Sequence, residues 1–296
     1  MAMTAATAPA GIDSSAVSER VEPRLVGVIA LKVLREAVRD RWFWLYCAGF
    51  ALLAAGITTL ALPDTEVVGT GGFGRTAASL VALVQLVVTL MALTLGARSL
   101  AGERESGTLR FLLSHPVSRT EVLLGTYLGL GGALLAAVAA GFGVAGLVSS
   151  FRSAVVDVGI LLKIAGASWL MALVMLGIGM LVSVVVRRTG AAMGAALLIW
   201  LGLVFLGDLG IMGTVAATNL PAETLFAVAV ANPIEAFRLT AIVSLEGSLD
   251  ALGPAGTYAV DSFGNSIGWL TLGVLFAWAV APMVLAWLLF RRKKDL

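Results

Sequence analysis

The chain has 296 residues, 59% of them apolar and 13% charged, with a mean hydropathy of +0.98 and a formal net charge of +2. So much apolar surface exceeds what a water-soluble interior of this size can enclose, which excludes a soluble domain and leaves the bilayer as solvent. The near-balance of charge does not indicate a nucleic-acid binder, and the lone cysteine, Cys47, excludes an intrachain disulfide and a cysteine-cluster metal site.

Residues 1–24 are polar and rich in Ala, Ser and Thr, without a signal-peptide run, and read as a disordered cytoplasmic start. Segment 25–41 follows as an amphipathic interfacial helix, clearest over residues 30–40. There Lys32, Arg35, Glu36, Arg39 and Asp40 share one arc, and Ala30, Leu31, Val33, Leu34, Ala37 and Val38 share the opposite one. A helix so divided lies in the interface plane rather than crossing it. Trp42, Phe43, Trp44 and Tyr46 then anchor the first span at headgroup level, as Trp287 and Phe290 do the last.

A bilayer crossing takes about 20 mostly apolar residues. Six stretches qualify, at 42–62, 76–97, 122–148, 160–186, 191–212 and 267–290. None shows the alternation of a barrel strand, and only helices satisfy their own backbone in lipid, so the fold class is an all-α integral membrane protein with six transmembrane helices. Sixteen of the basic residues fall on the side that holds both termini and four, Arg75, Arg152, Lys163 and Arg238, on the other. By the positive-inside rule both termini are cytoplasmic. Segment 213–266 is external: 214–245 is too interrupted by Pro, Glu, Asn and Arg to span and reads as short interfacial or half-inserted helices. Residues 246–266 form a Gly/Pro/Ser loop, and 291–296 a basic cytoplasmic tail.

The one cytoplasmic loop between spans with room for structure is 98–121. Gly107 and Thr108 open a short helix, TLRFLLS, which His115 and Pro116 close. Ser118 with Glu121 three residues on is a capping-box pattern that launches the third span. The product is a short helix across the membrane face, bordered by both signs of charge and shaped to receive force from a soluble protein.

The string Gly102-Glu103-Arg104-Glu105-Ser106-Gly107-Thr108, followed by Leu112-Leu113, Pro116-Val117-Ser118-Arg119 and Leu124-Gly125, resembles the loop after the second span of ABC-2 type transporter permeases. The early amphipathic helix, the six spans, the stretch Asn232-Pro233-Ile234-Glu235-Ala236-Phe237-Arg238-Leu239 and the terminal Arg-Arg-Lys-Lys are most similar to the Nos-type permeases of nitrous oxide reductase maturation systems. The resemblance implies an inner-membrane homodimer that works with two copies of a cytoplasmic ABC ATPase and with a periplasmic copper-handling accessory protein. It implies ATPase-coupling roles, by contact or by shaping the helix, for Glu103, Arg104, Glu105, Gly107, Thr108 and Arg119. The interfacial helix with Lys32, Arg35 and Arg39 would receive the same motion.

The chain carries no G-x-x-x-x-G-K-[ST] and so holds no nucleotide of its own; ATP and Mg would be bound by the partner ATPase, leaving this subunit without cofactor or enzymatic activity. No catalytic or metal-ligating constellation is present: His115 is the only histidine, and Met171 and Met175, one turn apart, read as helix packing rather than copper(I) ligands. Lys163 and Asp208 sit near span ends, where charges snorkel, and Gln85 near the middle of the second span is placed to hydrogen-bond a neighbouring helix. Gly125-x-x-x-Gly129 and Gly190-x-x-x-Gly194 permit close backbone approach, within one bundle or across a dimer. Two rival functions stay open on sequence alone: an ABC-2 exporter of a drug, lipid or other small compound, and an ATP-independent channel or scaffold.

Overall fold

A computed structural model describes residues 21–61, 71–114, 117–151, 157–217, 222–244, 262 and 264–292, and among these the regular elements are all helices. The polar start over residues 1–20, His115 and Pro116, the loop over 246–261 and residues 293–296 lie outside the described residues, as do the side chains of Arg75, Arg110 and Asp208.

Helix α1 (Pro23–Arg39) precedes α2 (Arg41–Ala61). Helix α3 (Gly71–Leu83) runs through a π turn at Val84–Val88 into α4 (Thr89–Glu105), and a short α5 (Thr108–Leu113) leads to α6 (Arg119–Phe151). Next come α7 (Val158–Val185), α8 (Thr189–Ala217), α9 (Ala222–Ala231), α10 (Pro233–Ser244) and, after a 3-10 turn, α11 (Ile267–Arg292).

Among the described residues, five helical stretches are long and apolar enough to cross a bilayer: Arg41–Leu60, Ala77–Glu105, Arg119–Phe151, Val158–Val185 and Ile267–Arg292. The apolar part of α8 within that description, Thr189–Phe205, is shorter, although its backbone stays helical to Ala217. Lipid-facing side chains such as Leu52, Leu60, Leu198 and Trp269 are exposed, while α7 lies at the centre against α4, α6, α10 and α11. Exposed leucines outside and small residues between helices are what a bilayer selects, because lipid gives packed backbones no hydrophobic incentive beyond close contact.

The tightest crossing is that of α4 and α7. A Cβ built on Gly96 would come within 2.5 Å of Leu176 O and 2.9 Å of Met180 N, and one on Gly179 within 3.0 Å of Gly96 Cα. Glycine is required on both helices for the backbones to meet.

The first helix begins and ends two residues before the expected segment 25–41. Pro23 stands in its first turn, where a missing N–H is harmless, and Val26, Val33 and Ala37 are buried. Their surroundings come from α6, because Gly125 and Gly129 let α1 approach so closely that added Cβ atoms would fall within 2.6 Å of Ile29 Cγ2 and 2.5 Å of Ala30 O. That small-residue pattern therefore serves packing within the chain. Around Gly190 and Gly194, by contrast, a Cβ would meet nothing within 4 Å.

Segment 214–245, expected as short interfacial or half-inserted helices, holds the short helices α9 and α10. Helix α8 continues past 212 to Ala217, and the first half of α10 is sunk into the bundle, with Ile234, Glu235, Ala236 and Phe237 all buried. Gln85, in the π turn, donates to Ile234 O at 3.3 Å; Asn232 Nδ2 donates to Leu203 O at 2.7 Å, and Trp200 Nε1 to Thr89 Oγ1 at 2.9 Å. Gln85 faces α10 from the π turn, so the polar side chain finds a carbonyl acceptor on a neighbouring helix. Asn232, which interrupts the hydropathy of the segment, fastens the start of α10 to α8 and also accepts Ile234 N–H at 2.9 Å.

Candidate functional site

One end of the bundle gathers the basic segments that are far apart in sequence: α1, the C-terminal ends of α4, α7 and α11, the N-terminal ends of α6 and α8, and the short α5 between α4 and α6. Cross-links between them are polar and specific. Arg119 Nη1 donates to Phe290 O at 3.2 Å, with its guanidinium 6.0 Å from the Phe290 ring centroid, and Trp287 Nε1 donates to Thr120 Oγ1 at 3.0 Å. Arg291 stacks over the Trp287 ring at 4.8 Å.

Local chemistry shapes the elbow. Helix α4 closes at Ser106, whose N–H bonds Gly102 O at 2.9 Å, and Gly107 takes a φ of 79°, the left-handed region where only glycine is unstrained. Gly107 N–H bonds Arg104 O, Ser106 Oγ meets Thr108 Oγ1 at 2.9 Å, and α5 begins at once. Six residues form too short a helix to stand alone, so α5 depends on its packing against α4. Leu109 is buried beneath it, and Phe111 presents 68% of its surface on the outside. At the far side the capping box forms reciprocally: Ser118 N–H donates to Glu121 Oε2 at 2.7 Å and Glu121 N–H to Ser118 Oγ at 3.2 Å. Glu121, only 2% exposed, uses its other carboxylate oxygen to accept Glu22 N–H at 2.7 Å, which ties the start of α1 to the start of α6.

The three consecutive charged residues of the loop string, Glu103, Arg104 and Glu105, occupy three different settings. Glu103 is half-buried and turns into a groove between α1, α4 and α6. Arg104 is half-buried on the opposite side and donates to Val186 O at 3.1 Å, beside the α7–α8 turn. Glu105 is exposed and accepts Thr189 N–H at 3.0 Å, which caps α8 from α4. Gly107 and Thr108 shape the elbow, and Arg119 braces α6 against α11. Lys32, Arg35 and Arg39 all lie on the exposed side of α1, where Lys32 reaches Glu36 at 3.6 Å one turn on. The structure thus brings α4, α5, α6 and α8 together at the elbow, with the α1 basic row a separate surface alongside.

A further link between the two was not legible in the spacing. Asp40, at the junction of α1 and α2, forms an ion pair with Arg98 of α4 and accepts Trp42 N–H at 3.0 Å, while Trp44 Nε1 donates to Val38 O at 2.7 Å. The only sequence signal was an acid directly before an aromatic belt. Burial alone would raise the Asp40 carboxyl, but the Arg98 hydrogen bond, the Trp42 N–H and the Arg98 charge outweigh it and hold the group below the usual carboxylate range. The pair therefore stabilises the fold fully at pH above the ordinary value of about 4 and ceases to do so as the pH falls through the depressed one. The melting-temperature difference between wild type and Asp40→Asn should be widest at neutral pH and close in acid, with a size of about 1 kcal/mol or less for a pair this accessible to water. A difference that ignores pH would assign the effect to something other than the pair.

Phe111 is the other residue that sequence reasoning passed over, because in TLRFLLS it reads as one more apolar position. Only the geometry shows that Leu109 and Phe111 face opposite ways.

Residues 28–295 match the family described as ABC-2 family transporter protein. A protein of Stutzerimonas stutzeri named "Probable ABC transporter permease protein NosY" is 32% identical over 271 residues, covering 90% of this chain and 97% of that one. A protein of the same printed name from Pseudomonas aeruginosa is 33% identical over 278 residues, covering 91% and 98%.

Proposed function

The chain belongs to the ABC-2 family of transporter permeases, multi-pass membrane subunits that act with a partner ATPase, and from that premise we propose that it transmits ATP-driven motion through the elbow at residues 102–117. The supporting observation is the placement of α5: a six-residue helix with an exposed Phe111, held between α4 and α6 at the end that collects the basic segments. A protein pressing on α5 moves α4 and α6 through Gly107 and the Glu121 cap, α8 through Glu105, and α1 through Asp40 and Arg98.

In this reading six helices cross the membrane, α8 being the fifth of them, and both termini lie in the cytoplasm with α1 in the interface plane. Two copies of the chain pair with two copies of a cytoplasmic ATPase, which binds ATP and Mg, in the inner membrane. Closure of the ATPases on nucleotide favours one bundle conformation by as much as they bind it better than the other. Because α10 contacts the π turn of the second span, tilting α4 shifts α9 and α10 at the opposite end. The cellular task is copper-site maturation of nitrous oxide reductase, in concert with a periplasmic copper-handling protein; the two NosY-named relatives support that assignment. Arg104 acts as an internal brace of the elbow, Glu103 turns into the groove beside α1, and Glu105 and Phe111 form the outward face.

Retention of the ATPase by the tagged chain tests this. Glu105→Lys, which breaks the cap on α8 and reverses an exposed charge, should lower retention severalfold, and Phe111→Asp more so; unchanged retention in both would remove the elbow as the docking element.

A further inference from the structure

We propose that the groove between α1, α4 and α6 is a binding site for the ammonium headgroup of a phospholipid, phosphatidylethanolamine. The groove has a volume of about 440 Å³ and opens beside the junction of α1 and α2. Its walls carry Glu36, Asp40 and Glu103 but a single cation, Arg98, which is engaged by Asp40. Lys32 at the rim reaches Glu36. Lys32 also acts on Glu103 from the rim, so three carboxylates face two cations, and the site as a whole favours a further cation.

Two orphaned polar atoms point the same way. Glu103 Oε2 and Thr126 Oγ1 are buried, and neither has a hydrogen-bond partner among the described residues. Thr126 is only 3% exposed and lines the groove from α6. Buried polar atoms without partners are rare in folded proteins, because desolvation is not repaid; the carboxylate oxygen can only accept and the hydroxyl also can, so the pair is met by a donor-bearing occupant.

The remaining lining decides its nature. Val33 from α1, Leu95 from α4 and Leu130 from α6 give the groove an apolar side, so the occupant joins a cationic head to a hydrocarbon body. The groove lies level with the exposed Trp42 and Trp44, residues that settle where lipid headgroups are. A primary ammonium has three N–H donors for Glu103 and Thr126; a choline headgroup carries the same charge and has none. This site stands apart from the coupling role, because lipid retention is read without nucleotide or ATPase.

The test is native mass spectrometry of the full chain released from nanodiscs holding equal phosphatidylethanolamine and phosphatidylcholine of matched acyl chains. Wild type should keep the ethanolamine lipid over the choline lipid by about tenfold, the worth of a charge-assisted hydrogen bond. Glu103→Gln and Thr126→Val should each bring the ratio toward one, and Glu223→Gln on the distant α9 should leave it unchanged. Soluble phosphoethanolamine at millimolar concentration should not displace the lipid. Equal retention of the two lipids by wild type, or a preference that survives both groove substitutions, would overturn the proposal. Full displacement by the soluble headgroup would overturn the lipid as its source. Should Glu103→Gln fail to fold, Thr126→Val, which keeps volume and removes only the hydroxyl, carries the result.

Discussion

Replacing Gly179 with valine should prevent the bundle from assembling, with a loss of about 3 kcal/mol or more. The reason is the kind of atom the new side chain meets. A Cβ at 179 falls 2.9 Å from Ala97 N and 3.0 Å from Gly96 Cα, and one at Gly96 falls 2.5 Å from Leu176 O. These are backbone atoms of a facing helix and have no rotamer by which to give way. Separating α4 from α7 would also break the buried bond from Ala101 N–H to Ser183 Oγ, 2.7 Å long, that holds the two helices just before the elbow. Fluorescence-detected size exclusion of the solubilised protein checks the outcome: Gly179→Val should give aggregate or no peak. Gly177→Ala, whose Cβ would sit at an ordinary 3.6 Å from Ala279 O, should give the wild-type peak with stability changed by about 0.5 kcal/mol or less. A normal peak from Gly179→Val would mean that the α4–α7 crossing is not as close as described.

Phe111→Asp should abolish capture of the ATPase while leaving the chain inserted and monodisperse. An aromatic side chain 68% exposed on a short helix contributes little to the fold but has the shape of an interface anchor, and truncating such an anchor typically costs about 2 kcal/mol or more of binding, a drop of at least about thirtyfold. Placing a carboxylate there adds the desolvation of a charge on docking. Leu109, buried under the same helix, is the contrast: Leu109→Asp should damage folding itself. The two outcomes separate a docking surface from a structural one, and loss of insertion in Phe111→Asp would place that residue with Leu109.

Much of the architecture was legible because bilayer physics leaves few options. The spans follow from apolar length, and the observed helices begin and end within a few residues of the expected limits for 42–62, 160–186 and 267–290. Ser118 and Glu121 announced their cap by spacing alone, and Gln85 its need of a partner helix by being polar at mid-span. Hydropathy was silent where the chain departs from simple crossing. It gave no sign that Asn232 fastens a half-buried helix to α8, since a polar interruption looks alike whether it faces water or a neighbouring backbone. Periodicity predicted which arc of α1 is charged but not that α6 covers the other, because Gly125 and Gly129 fit a partner helix in this chain or in another. At the elbow, sequence resemblance drew attention to Glu103, Arg104 and Glu105 together. Three consecutive residues on a helix point about 100° apart, so one enters the groove, one meets the α7–α8 turn and one stays outside.

The account rests on the elbow facing the compartment that holds the ATPase. Ser106 is exposed there, and Cys47 is buried, so a Ser106→Cys substitution in a Cys47→Ala background provides a single reactive site. With a membrane-impermeant maleimide, labelling should be absent in intact cells and complete in inside-out vesicles, and a stoichiometric excess of the ATPase should protect the site. Labelling of intact cells before permeabilisation would place the elbow on the outer face and contradict the account.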